Sequence, residues 1–169
     1  MKLVYFIRHA KSSWDRPELP DHRRDLLDVG IKRTRKVAKW MINKSIAPDL
    51  IISSPATRAY RTAGIVAQFF EYPEKKIVTA PTLYPGSPEH IMETLYALPD
   101  TMQQVIIVSH NPALTELVNS FLETNKKIFN FPTSAVAGVR FDTDQWEKIE
   151  LADYHVNFII SPKNIKSGK

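Results

Sequence analysis

The sequence has no cysteine, which excludes a disulfide framework and a thiolate zinc site and suits a reducing compartment. Glycine is scarce, five residues in 169. Neither G-x-x-x-x-G-K-[ST] nor G-x-G-x-x-G occurs, so the glycine-rich nucleotide cradles are excluded and any phosphate must be held mainly by side chains. No long hydrophobic run is present. Residues 1–7 are largely apolar but stop at Arg8, too short for a signal-peptide core or a membrane span. A cytoplasmic protein without a membrane partner is expected. Internal repeats, low-complexity tracts and Gly/Ser-rich linkers are also missing, and a chain of this length then reads as one domain over residues 1–169.

What is present is ordinary for a globular chain: 43% hydrophobic and 24% charged residues. The net charge of +5 favours anionic partners. Acidic residues are interspersed with the basic ones, so nucleic acid is not expected among them. The densest stretch is Lys32, Arg33, Arg35, Lys36 and Lys39. It reads first as the solvated face of a helix, and second as a docking face for an acidic partner.

A recurring unit organises the chain: a short apolar run, a polar cluster, then a helical pattern. Residues 2–7, 50–52 and 105–108 are apolar without alternation, as in parallel strands covered on both faces. They end at Arg8-His9, Ser53-Ser54-Pro55 and Ser109-His110-Asn111-Pro112.

Helices follow. The first starts at Asp28 or Gly30 and buries Thr34, Val37, Ala38 and Met41. The next is capped by Ser54, with Ala59, Ala63, Val66, Ala67 and Phe70 inward. A third starts at Ser87-Pro88 and buries Ile91, Leu95 and Leu98. Another is capped by Asn111 and buries Leu114, Leu117, Val118, Phe121 and Leu122. Residues 135–141 and 156–160 are expected strands, and 146–151 a weaker one. The class is α/β, a three-layer α/β/α sandwich with a largely parallel central sheet.

Open parallel sheets bind ligands at the carboxyl ends of their strands. Three strands here deliver Arg8 and His9, Ser53 and Ser54, and Ser109 and His110 to that edge, and Arg58 follows on a first helical turn. Arginine forks match phosphate oxygens, and a neutral imidazole can attack phosphorus. No carboxylate cluster suggests magnesium. Taken singly, each residue has a plainer reading: His9 an ordinary polar side chain, Arg58 an ion-pair partner, His110 a cap. Four together at one edge favour a phosphoryl-transfer site.

At these residues the sequence resembles the histidine phosphatase superfamily, and within it the SixA-type phosphohistidine phosphatases. The similarity rests on Arg8-His9-Ala10-Lys11-Ser12-Ser13-Trp14, the stretch from Asp21 to Leu26 leading to Gly30, and Ser53-Ser54-Pro55-Ala56-Thr57-Arg58-Ala59 with Thr62-Ala63. It continues through Val108-Ser109-His110-Asn111-Pro112, Phe131-Pro132-Thr133 and Ser161-Pro162-Lys163. Ala10 stands where most of the superfamily has glycine. The resemblance implies a phosphoglycerate mutase-like fold, His9 as nucleophile, and Arg8, Arg58 and His110 as the phosphate pocket, with no metal or cofactor. Arg24 is a further candidate for substrate contact.

Larger relatives that act on phosphate esters carry an acid after the third strand. The matching stretch here, Leu83-Tyr84-Pro85-Gly86-Ser87-Pro88, has none before Glu89. Glu89, Asp15 and Asp25 remain candidates for that acid. The expectation is a phosphatase acting on phosphohistidine of a protein. A small-molecule phosphomonoesterase and a non-catalytic phosphate-binding module are the alternatives. His22, His90 and His155 lack metal-ligand spacing and are expected at the surface. Trp14 either flanks the pocket mouth or packs a loop.

Overall fold

Runs of branched apolar residues resist half-solvation, and in the computed structural model, which describes residues 1–166, they form the middle of a six-stranded sheet. The strands are β1 (Lys2–Arg8), β2 (Leu50–Ser53), β3 (Val78–Thr79), β4 (Gln104–Ser109), β5 (Val136–Phe141) and β6 (Tyr154–Ile160). Their spatial order is β3-β2-β4-β1-β5-β6. β3, β2, β4 and β1 run parallel, while β5 is antiparallel to both β1 and β6. The largely parallel sheet is therefore present.

Successive strand residues face opposite sides of a sheet, so each run feeds two cores. Tyr5, Ile7, Ile51, Ile106 and Val108 meet α1 (Asp28–Ile42) and α2 (Thr57–Phe69) on one face. Val4, Phe6, Ile52, Val105 and Ile107 meet α3 (Pro88–Tyr96) and α4 (Ala113–Ser120) on the other. This is the three-layer sandwich. The stripe Thr34, Val37, Ala38 and Met41 is buried as its spacing requires. Phe70 and Leu98 fall just beyond the ends of α2 and α3 and are only partly covered.

Residues 146–151 are not a strand. Trp146–Lys148 is a 3-10 turn, because the fully buried Trp146 is tied elsewhere. Its backbone N–H donates to Asp100 Oδ1 at 2.8 Å and its indole N–H to the Met102 carbonyl at 2.9 Å. Lys2, also buried, donates to the Asp100 and Met102 carbonyls at 2.6 and 2.8 Å, so the segment anchors the loop before β4. The two-residue edge strand β3 has no counterpart in the sequence reading, being too short to show a period.

One glycine sets how the loop after β1 meets α1. A Cβ on Gly30 would lie 2.4 Å from the Lys11 carbonyl oxygen and 2.9 Å from its nitrogen. Gly64 in α2 has nothing closer than 3.7 Å, the side chain of Glu74. In urea denaturation we expect Gly30→Ala to lose about 1–3 kcal/mol through overpacking against backbone. Gly64→Ala should be neutral or gain up to about 1 kcal/mol from helix propensity.

Candidate active site

Strand register brings the two histidines together. Arg8 of β1 pairs with Ser109 of β4, so His9 and His110 leave the sheet at the same level on adjacent strands. The His9 amide donates to the Ser109 carbonyl at 3.1 Å, fixing the exit. Parallel neighbours lie about 4.8 Å apart, and the two imidazole centroids are 5.0 Å apart. On the other side of β4, Ser53 pairs with Val108 and the Ser54 amide donates to the Val108 carbonyl at 3.0 Å. Ser54 Oγ then lies 2.7 Å from His110 Nε2.

Arg58, the second residue of α2, reaches back over this edge and is buried. Its Nε donates toward His9 Nε2 at 3.4 Å, while its terminal nitrogens hold the Asp21 carbonyl at 2.8 Å and Asp21 Oδ2 at 3.0 Å. Arg8 donates through Nη1 to the Phe131 carbonyl at 2.8 Å, beside the loop that precedes β5. Arg24 donates to Asp21 Oδ1 at 2.9 Å and to Ser12 Oγ at 2.7 Å. Its guanidinium stacks 3.6 Å from the Trp14 ring centre. A cleft of about 420 Å³ joins Arg8, His9, Arg24, Arg58 and His110, with Lys11, Trp14 and Asp15 among its other walls.

The tautomer of His9 follows from its partner. Nδ1 lies 2.8 Å from the Ala10 carbonyl oxygen, which only accepts, so Nδ1 carries the proton and Nε2 keeps its lone pair. Burial pushes this imidazole down to about 4, against the pull of the Ala10 carbonyl, and the charges of Arg58, Arg8 and Arg24 add to the fall. Burial likewise lowers His110 to about 3, helped by His9 and Arg58. Both rings are neutral at pH 7. Burial and the neighbouring Arg58 also lower Arg8 from its ordinary value. Arg8 Nε and His110 Nδ1 are buried without a hydrogen-bond partner among the described residues, capacity that suits an anion.

All five site residues expected from the sequence, Arg8, His9, Arg24, Arg58 and His110, line the one cleft. Two expected helix caps do other work. Ser54 does not cap α2, which begins at Thr57 after Ala56; its hydroxyl faces His110 and accepts from the Ala56 amide at 3.2 Å. Asn111 does not cap α4, because its amide donates to Asn130 Oδ1 and to the Phe131 carbonyl, both at 2.9 Å. Glu89 is exposed at the start of α3 and is not on the cleft wall. Asp25 bonds Arg61 instead. Asp15 does line the cleft, and Trp14, 73% exposed, lies at its mouth. His22, His90 and His155 are exposed.

Asp21 escaped the sequence reading as a site residue. It stands in a 3-10 turn, Asp21–Arg23, and binds Arg24, Arg58 and the Tyr84 hydroxyl, the last at 2.7 Å. Partial burial opposes its ionisation, but hydrogen bonds from Tyr84, Arg24 and Arg58 bring the carboxyl to about 2. Its only sequence signal was its place four residues before Asp25 within the block that carries the family resemblance.

The family model described as histidine phosphatase superfamily (branch 1) matches residues 4–83. The fold matches the structure of the protein histidine phosphatase SixA complexed with tungstate, at TM-score 0.81 and 26% identity, covering 97% of this chain and 99% of that one. Over residues 4–83, and in its fold, the chain is similar to the histidine phosphatase superfamily. A curated relative, an uncharacterised protein of Mycobacterium leprae, is 28% identical over 89% of this chain and 99% of its own length. The Bacillus subtilis phosphatase PhoE, itself uncharacterised, is 22% identical over 95% and 98%. The superfamily's phosphoglycerate mutase-like fold is thus the sandwich described above.

The two neutral histidines carry a pH signature. Both folded pKa values lie below the ordinary 6.5. The native state therefore binds fewer protons than the unfolded one between the ordinary and folded values, and stability falls as pH drops from about 6.5 to about 4 for His9 and on to about 3 for His110. Below the folded values no further loss comes from these groups. Long-range nitrogen–proton spectra at pH 6 should show both rings uncharged, with His9 protonated at Nδ1 alone. A doubly protonated His9 at that pH would contradict this assignment.

Proposed function

We propose that this protein is a phosphatase whose nucleophile is His9, acting on phosphohistidine carried by another protein. One observation carries the reading: His9 turns its Nε2 lone pair, not an N–H, toward Arg58 Nε at 3.4 Å, in a cleft shared with Arg8 and His110. A binding module has no need of a nitrogen held neutral and oriented in this way, which argues against the non-catalytic alternative.

In the first step His9 Nε2 forms a bond to phosphorus as the substrate's P–N bond breaks. The electron pair goes to the leaving ring nitrogen, and with its other nitrogen already protonated that ring departs as neutral imidazole. Positive charge grows on His9 and is stabilised by the Nδ1–H bond to the Ala10 carbonyl. Arg8, Arg58 and His110 bind the equatorial oxygens, whose charge they stabilise without rearrangement. Water then attacks the phosphorylated His9, the P–Nε2 bond breaks, and orthophosphate keeps the proton that the water gives up.

The leaving group favours phosphohistidine. Both bonds exchanged in the first step are P–N bonds to imidazole, so it is close to balanced in energy and asks for no acid. An alkoxide asks for one. The carboxyl bound into the cluster, Asp21, is held ionised by its three donors and has no proton to give. The exposed Trp14 beside the cleft favours a substrate presented on a protein surface. Asp15 on the cleft wall favours a second reading, a small-molecule phosphomonoesterase with Asp15 as the acid.

Substrate comparison separates the two. A phosphohistidine peptide and p-nitrophenyl phosphate, whose leaving groups need no proton, should both turn over, with an alkyl phosphate slower by about 10²-fold or more. Comparable rates for alkyl phosphate that collapse in Asp15→Asn would establish the esterase instead. His9→Ala should abolish turnover and the labelled phosphate trapped under alkaline denaturing conditions, where the P–N bond survives. Arg58→Ala should lower kcat/KM about 10²-fold, the usual cost of losing one preorganised donor. An unchanged rate in that variant would remove Arg58 from the reaction.

A further inference from the structure

Outside the cleft, a larger groove of about 740 Å³ runs between α1 and the C-terminal segment. Lys32, Arg33, Lys36 and Lys39 line it from the helix, and Lys163 and Lys166 from the segment after β6. Among the described residues no carboxylate lines the groove and none of the six cations forms an ion pair. The chain's net charge is +5, so these six side chains exceed the entire positive balance. Positive charge that looks scattered along the sequence is gathered on one side of the fold.

The geometry of α1 makes the groove long. Positions 29, 32, 33, 36, 40 and 43 recur at helical spacing and all line it, so the stripe extends for about 21 Å along the helix. Its upper end adjoins the candidate active site. Leu27, two residues before Val29, lines the cleft, and its amide donates to the Lys11 carbonyl at 2.9 Å; Lys11 lines the cleft too. The groove thus leads down the flank of the molecule from the cleft's rim.

We infer that this groove docks an acidic segment of the protein whose phosphohistidine enters the cleft. The inference rests on the function proposed above and adds the character of the partner. Charge complementarity selects a chain of carboxylates. Stacking of bases, which single-stranded nucleic acid would need, has little to use here. The one aromatic ring of the groove, Trp40, is set edge-on to Phe158 at 4.9 Å and carries Lys44 at 5.4 Å. Six clustered cations raise the local concentration of an acidic partner and speed its encounter, with a strong salt dependence.

Two peptides test it: phosphohistidine flanked on each side by a twelve-residue tract of alternating Glu and Ala, and the same peptide with Gln for Glu. At low salt the acidic peptide should have a kcat/KM about tenfold higher, an advantage lost at high salt and in Lys32→Glu/Lys36→Glu. That variant should keep wild-type rates on the Gln peptide and on free phosphoramidate, which also shows that it is folded. Equal rates for the two peptides, or an advantage that survives in the variant, would overturn the inference. Fluorescence anisotropy of the unphosphorylated Glu peptide reads the groove without catalysis, so failure of phosphohistidine turnover with intact, variant-sensitive binding sinks the function and spares the groove. A labelled single-stranded oligonucleotide that binds the groove more tightly than the Glu peptide would also overturn it.

Discussion

Two guanidinium groups and two imidazoles share one partly buried edge, and everything else about the site answers the repulsion this creates. Four positive charges there would not coexist in a folded chain. The protein avoids that state by keeping both rings neutral through burial and by giving each guanidinium an oxygen partner. Arg8 has the Phe131 carbonyl, and Arg58 has the carbonyl and carboxylate of Asp21. The same neutrality that makes the cluster tolerable leaves His9 Nε2 with a lone pair. A tolerable cluster and the lone pair that the proposed reaction needs therefore come from a single electrostatic solution.

Precision in that cluster is a property of the sheet. β1 lies between β4 and β5, so Arg8 is held on both sides: it pairs with Ser109 and its amide donates to the Ala135 carbonyl at 3.1 Å. A slip of one residue would turn His9 away from His110 and exchange the two core faces. The apolar filling of both layers, from Phe6 and Ile107 on one side to Ile7 and Val108 on the other, makes such a slip costly. Packing far from the cleft thus fixes the distance between its imidazoles.

This explains what the sequence could and could not reveal. Strands β1, β2 and β4 announce themselves as unbroken apolar runs, and the residues that end β1 and β4 line the candidate cleft, so the meeting of Arg8, His9 and His110 was legible from period and topology alone. Arg58 was legible from its place on a first helical turn. Asp21 was not, because its partners Arg58 and Tyr84 lie 37 and 63 residues away and its own turn has no period. Ser54 misled for a local reason: Ser-Pro before a helical pattern reads as a cap, but a tertiary partner, His110, took the hydroxyl. Trp146 misled in the same way, its backbone amide claimed by Asp100. Local signals fail where a long-range hydrogen bond outbids them.

Asp21 also settles the charge that the cleft presents. Arg8, Arg24 and Arg58 bring three positive charges and Asp21 removes one, while His9 and His110 contribute none. Lys11 and Asp15 cancel at the rim. The balance is about +2, which matches the charge of about −1.5 to −2 on a phosphoryl group near neutral pH. Without the Asp21 carboxylate the site would carry one more net positive charge and Arg58 would lose its one ionic partner among the described residues. With it, an entering phosphoryl group brings the cluster close to neutrality, and each guanidinium is already held before the anion arrives. A carboxylate bound to the cleft's arginines is therefore consistent with the proposed phosphate chemistry, provided that it stays ionised and its claims are spent on those arginines.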